Sequence, residues 1–146
     1  MVWSAWQPFQ HGYMIWFSDR DWAYALNYQG GTDPMDGTWV TGGDAWNWDG
    51  SVPDGRGLTP PPGLHEPIRG FGYVWFTKLG GQTSQIGWGT DEEKGYCALV
   101  QRYENGMLIQ SSAAPGCAGG QFNWAANPDF PPVFIALYED GSWKRF

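Results

Sequence analysis

The feature that most constrains this chain is that part of it occurs twice. The segment Phe9-Gln10-His11-Gly12-Tyr13-Met14-Ile15-Trp16 matches Tyr103-Glu104-Asn105-Gly106-Met107-Leu108-Ile109-Gln110. Both read aromatic, amide or acid, polar, Gly, then a run of large residues. Further on, Ala25-Leu26 and Asp36-Gly37-Thr38-Trp39 correspond to Ala136-Leu137 and Asp140-Gly141-Ser142-Trp143. The order is kept while the spacing changes, so the copies differ by insertions. In the first copy the extra residues are Tyr28 to Pro34, with Gly30-Gly31. In the second they fall between Gln110 and Val133 and contain Cys117 and Trp124. A repeat is weighed before any other signal because it decides the architecture.

Each copy reads as hairpins. Gly supplies a positive φ at a turn, the large residues form a strand, and Asp-Gly makes the next turn. The apolar stretch 133–138, running into Glu139-Asp140-Gly141, is the clearest of these hairpins. Composition agrees: aromatic residues make up 18% and charged residues 16%, with 11 Trp, 22 Gly and 11 Pro. Rings joined by Gly and Pro suit short strands better than helices. The expected fold is therefore mainly β, built of short antiparallel hairpins from degenerate repeats, with long Trp-stapled loops, one or two short helices, and a propeller-like ring as one way to close. A chain of 146 residues fits a single domain, 1–146, that buries roughly 70% of its unfolded surface. Its halves are about 6–40 and 96–146, joined by a loop over 41–67 and a short helical segment within 73–93. Helical turns are expected at 73–79, ended by Gly80-Gly81, and at 83–86 before Gly87. The run Thr59-Pro60-Pro61-Pro62-Gly63 is expected to be an extended, stiff strap across the surface.

A net charge of -7 speaks against nucleic acid as a partner, since a phosphate backbone is bound by cationic surfaces. No apolar run of about 18 residues occurs, so no membrane span is expected, and no basic-then-apolar leader is visible. Cys97 and Cys117 are the only cysteines. Paired, they would close a Gly- and Ala-rich loop, contribute on the order of 3 kcal/mol and point to an oxidising compartment. Unpaired buried thiols are the alternative, because spacing alone does not prove a bridge.

Residues 78–93, Lys-Leu-Gly-Gly-Gln-Thr-Ser-Gln-Ile-Gly-Trp-Gly-Thr-Asp-Glu-Glu, resemble the LGFP repeat of bacterial wall-associated proteins. There a Leu-Gly-Gly-like turn is followed by an apolar-Gly pair, a Thr and acidic residues, then by an aromatic-x-x-Gly hairpin like Tyr103-Glu104-Asn105-Gly106. The match spans 78–110, with weaker echoes at 9–39 and 133–146; Gly89 stands where the repeat has Pro. Pro61-Pro62-Gly63 with Arg69-Gly70-Phe71-Gly72 is similar to Trp-rich repeat segments of secreted bacterial proteins. The resemblance implies a noncatalytic, extracellular or cell-surface module with cell-wall polysaccharide as its ligand class.

Glycan binding needs exposed aromatic faces that stack on sugar rings, flanked by carboxylates and amides for the hydroxyls. Asp44-Ala45-Trp46-Asn47-Trp48-Asp49 offers those types within six positions. In an extended stretch Trp46 and Trp48 point to one side. The competing interpretation is that both rings pin the loop to the core, as Trp is well buried on average. Trp22, Asn123 and Trp124 are further candidates. Asp44, Asp49, Asp54 and Asp91-Glu92-Glu93 do not match a calcium loop, so a solvated acidic surface is expected and no metal or other cofactor. His11 and His65 lie in no nucleophile motif, and His11 aligns with Asn105 at a turn. Arg69 is expected to be a buried or partly buried cation that stacks on a Trp or pairs with a carboxylate. No residue is assigned a catalytic role. The rival functions are a self-associating coat or filament subunit, since Trp and Tyr also anchor protein interfaces, and, third, a glycoside hydrolase, for which no acid pair is marked out.

Overall fold

The computed structural model describes residues 2–20, 22–28, 36–43, 55–112 and 134–146. Eight strands lie among them: β1 Val2–Phe9, β2 Gly12–Phe17, β3 Trp22–Asn27, β4 Asp36–Gly43, β5 Lys94–Tyr103, β6 Gly106–Ser112, β7 Phe134–Tyr138 and β8 Ser142–Arg145. They pair antiparallel in the order β1-β2-β3-β4-β8-β7-β6-β5, and β5 returns to β1, closing a barrel. The mainly β architecture expected from the sequence is present. One barrel resembles a ring of separate propeller blades only loosely, because all its strands share a single sheet.

The duplication is written into the strand registers. Phe9 opposes Gly12 in the first hairpin as Tyr103 opposes Gly106 in the fifth and sixth strands. Met14 opposes Ala25 as Leu108 opposes Ala136, and Leu26 opposes Trp39 as Leu137 opposes Trp143. The two seams that join the halves pair each residue with its own counterpart: Trp3 with Cys97 between β1 and β5, and Thr38 with Ser142 between β4 and β8. Self-paired positions mark a two-fold relation, as in an isologous interface. The pseudo-axis crosses the barrel from seam to seam and exchanges its ends. The strands of the halves run over 2–43 and 94–145, against the 6–40 and 96–146 expected, and 41–43 belongs to β4 instead of the joining loop.

Gly12 shows why the motif glycine recurs. Its φ is +152, and a Cβ there would stand 1.9 Å from the carbonyl oxygen of Leu26. Gly106, at φ +148, would place its Cβ 2.0 Å from the carbonyl of Leu137. The Asp-Gly pairs differ. Asp140-Gly141 forms a turn, with the Gly141 amide donating to the Tyr138 carbonyl. Asp36 and Gly37 already lie in β4, opposite Lys144 and Trp143. The longer connection after β3 has reversed the chain before it reaches Asp36.

Alternation sorts the side chains into two clusters. Inside the barrel Trp6, Ile15, Tyr24, Tyr96, Ile109 and Trp143 are among the buried residues of one core drawn from strands all round the sheet. Outside, Ala5, Phe9, Met14, Ala23 and Ala25 of β1 to β3 form a second core with Phe71, Val74, Trp75, Ile86 and Trp88. The covering segment opens with α1, Arg69–Val74, which continues as a π-helical turn, Trp75–Leu79, ended by Gly80 at φ +97. Helix therefore starts four residues before the expected 73. Phe71, Val74 and Trp75 take the i, i+3, i+4 spacing of a buried face, and that burial outweighs the poor propensity of Gly70 and Gly72. Val74 stands over Gly42, where a Cβ would lie 2.7 Å from its methyl group. The helix expected at 83–86 is one 3-10 turn, Gly81–Thr83.

The strap preceding α1 is pinned by Glu66, whose carboxylate accepts the amides of Arg56 and Leu58. The Arg56 guanidinium lies 4.4 Å from the Phe76 ring centroid. After the 3-10 turn the chain seals the first hairpin: the amides of Gln10 and His11 donate to Trp88 and Ile86 carbonyls at 2.9 and 3.0 Å. Arg69 pairs with Glu93 at 3.7 Å and does so from the only positive-φ non-glycine position described, φ 56. Of its two expected roles it takes the carboxylate pairing, but its side chain is 59% exposed, in place of the buried or partly buried cation expected. Cys97 is buried in β5 and is not a free thiol; Cys117 lies outside the described residues. No described helix is long and apolar enough to cross a membrane.

Candidate ligand-binding end of the barrel

Of the residues singled out for ligand binding, Asp44, Trp46, Trp48, Asp49, Asn123 and Trp124 lie outside the described residues. Trp22 is described, and it opens β3 at the barrel end where the β2–β3 turn sits. It opposes Phe17 on one side and Gly43 on the other. The ring is half-buried and packs on the interior core. It is thus a rim residue with one side on the core.

Period-two alternation puts Tyr24 on the same side of β3, one step further in. Tyr24 meets Phe17 edge-on at 5.8 Å and Trp39 at 5.8 Å between ring centroids. Trp39 is half-buried, and its indole N–H donates to the Tyr138 carbonyl at 2.8 Å. These rings are held in place by the barrel and by one another. Fixed aromatic surfaces lose little conformational entropy when a ligand settles on them.

Charge crosses the same rim. Arg102, near the end of β5, bonds Asp19 of the β2–β3 turn at 3.2 Å, with the two side chains 34% and 36% exposed. The pair links β5 to that turn past the start of β1. Burial pushes the Tyr24 hydroxyl above its ordinary range, opposed by the positive charges of Arg102 and Arg20. The phenol therefore stays protonated and able to donate. Guanidinium and carboxylate together offer both donors and an acceptor beside the rings, while Tyr24 itself is buried in the core.

Elsewhere several described carboxylates are engaged. Asp91 accepts from Lys94 at 2.6 Å, and this hydrogen bond holds its carboxyl below the usual range. Glu93, two residues on, is pushed the opposite way by burial, with Arg69 pulling it partly back. No three of the described His, Cys, Asp and Glu residues converge as a metal site. His11 occupies the first hairpin turn, its ring 5.9 Å from that of Tyr28.

The sequence reading missed Tyr24, Trp39, Asp19 and Arg102. Tyr24 was reachable from Trp22 by alternation alone. The Asp19–Arg102 pair joins residues far apart in sequence and had no local signal. Comparison of the chain with protein-family models, curated proteins and solved structures finds no match in any of the three.

Proposed function

We propose that this protein is a noncatalytic extracellular module that binds cell-wall or other polysaccharide at the barrel end marked by Trp22, Trp39, Asp19 and Arg102. The observation that carries the reading is the rim itself: fixed aromatic rings beside an exposed guanidinium–carboxylate pair, the combination that stacks on a sugar's apolar face and bonds its hydroxyls. Gly43, opposite Trp22, is also where the chain departs toward Asp44, Trp46, Trp48 and Asp49. The resemblance of residues 78–110 to wall-associated repeats favours the same ligand class.

Tryptophan fluorescence titrated with bacterial wall polysaccharides and simple sugars tests this. A saturable change is expected that weakens at least about ten-fold in Trp46→Ala, Trp48→Ala and Arg102→Ala, each still folded by circular dichroism. Silence toward every glycan from a folded protein would sink the proposal.

A further inference from the structure

The strap that leads into α1 is fixed at both flanks and bare between them. Residues 59–63 read Thr-Pro-Pro-Pro-Gly. On either side Leu58 and Leu64 pack on the outer core. The Leu58 amide donates to the Glu66 carboxylate at 3.0 Å, and His65 exchanges backbone hydrogen bonds with Gly89 at 2.8 and 3.0 Å. Between these anchors stereochemistry leaves little freedom. A proline ring fixes φ at about −65°, and a following proline keeps ψ in the extended range. Pro60 and Pro61 obey both constraints at once, so this part of the strap is polyproline II.

The chain then reverses. The Leu64 amide donates to the Pro61 carbonyl at 3.1 Å, and Gly63 takes φ +79. Pro62 and Gly63 are the central pair of this turn, with proline where its own φ is wanted and glycine where φ is positive, the type II pattern. Both are exposed, and a Cβ on Gly63 would meet nothing within 4 Å. The other described prolines differ. Pro61 is exposed but precedes another proline, Pro8 and Pro60 are half-buried, and Pro67 is buried. Among the described prolines only Pro62 combines exposure with a following glycine.

We propose that Pro62 is a modification site, hydroxylated by a 2-oxoglutarate-dependent prolyl 4-hydroxylase of the kind that acts on proline before glycine, the position hydroxyproline takes in Gly-X-Y repeats. Molecular oxygen supplies both oxygen atoms of the step. One is inserted into the Cγ–H bond of Pro62, the displaced hydrogen ending on the new hydroxyl. The other oxidises 2-oxoglutarate, which loses carbon dioxide and leaves as succinate. Two electrons come from the C–H bond and two from the 2-oxo acid, so the enzyme's iron returns to its starting state. A strap already held in shape loses little conformational freedom on entering such an enzyme. Pro60, Pro61 and Pro62 have no N–H to leave unpaired there. At an exposed ring the new hydroxyl faces water, so no polar group is buried unsatisfied. The site uses none of the rim residues and is independent of the glycan reading.

The test uses the intact protein, produced in a host without prolyl hydroxylases. It is incubated while folded with such an enzyme, iron(II), 2-oxoglutarate, ascorbate and air, then digested and sequenced by mass spectrometry. Expected is a gain of one oxygen atom on Pro62, with one succinate released for each oxygen incorporated. Pro62→Ala alters an exposed ring, should keep the circular dichroism of the folded chain, and should lose that oxygen. A free peptide of residues 58–64 is run beside it to show the enzyme active. No oxygen on Pro62 of the folded protein overturns the proposal, whatever the peptide does. So does oxygen found only on other prolines, Pro115 before Gly116 included, or on Pro62 only after the protein has been denatured, since the turn as folded would then not be what the enzyme accepts.

Discussion

At the scale of single residues, the two motif glycines make the sharpest prediction. Gly12 and Gly106 each combine a left-handed φ with a neighbouring carbonyl inside the space of a Cβ. Gly12→Ala and Gly106→Ala should each cost at least about 2 kcal/mol of stability, read by denaturant unfolding. A loss under about 0.5 kcal/mol would contradict the geometry. The duplicated tryptophans should behave unequally. Trp39 and Trp143 cross between the halves, each indole donating to the carbonyl after the leucine of the other half's third strand, Tyr138 and Asn27 respectively, both at 2.8 Å. The Trp143 bond is buried and the Trp39 bond exposed. Water can replace a lost donor only at the exposed one, so Trp143→Phe should be destabilising by about 1–3 kcal/mol more than it would be for the bond alone in water. Trp39→Phe should cost less; equal losses would mean that burial does not set the penalty.

At the scale of elements, the covering segment is held by packing at its centre and by charge at its end. Glu93 is where the two meet. Burial raises its folded-state pKa above the ordinary carboxylate value, outweighing the attraction of Arg69. Between the unfolded and the raised folded pKa the native state holds the extra proton, so stability falls as pH rises through that window. Asp91 runs the other way: Lys94 lowers its pKa, and its contribution is lost only as pH falls below the carboxylate range. Glu93→Gln should therefore flatten the decline of melting temperature above about pH 4.5 without lowering stability at neutral pH. A steeper decline in the variant would show that the Arg69 pair dominates. Within the same segment Trp75 is fully buried and donates to the Gly87 carbonyl at 2.9 Å. Trp75→Ala should cost about 3–5 kcal/mol, read by thermal or denaturant melting, and a surface-like loss below about 1 kcal/mol would mean that the segment is not anchored there.

At the scale of the whole molecule, each half has four strands, an apolar inner face and two seam edges. Apart from its partner, each would expose that face and both edges to water. The intact chain should accordingly unfold in one transition seen alike by fluorescence and circular dichroism; two separated transitions would refute this coupling.

The sequence by itself determined the local grammar of this protein. Aromatic-x-x-Gly and the apolar runs after it specify hairpins through backbone sterics and period-two burial, and these act within a few residues. The pairing of Phe9 to Trp16 with Tyr103 to Gln110 was legible for the same reason, because equivalent turns need equivalent glycines. What the tertiary structure alone decided is how the copies meet. Closure of the barrel rests on Trp3 facing Cys97 and Thr38 facing Ser142, contacts between residues far apart in the chain that leave no local pattern. The same holds for the start of α1 at Arg69, where burial of Phe71 and Val74 against β1 to β3 overrode glycine's weak helix propensity. It holds too for the rim, since whether Trp22 is platform or core depends on which strands close around it. Short-range sterics can be read along a chain; long-range burial exists only once the chain has folded on itself.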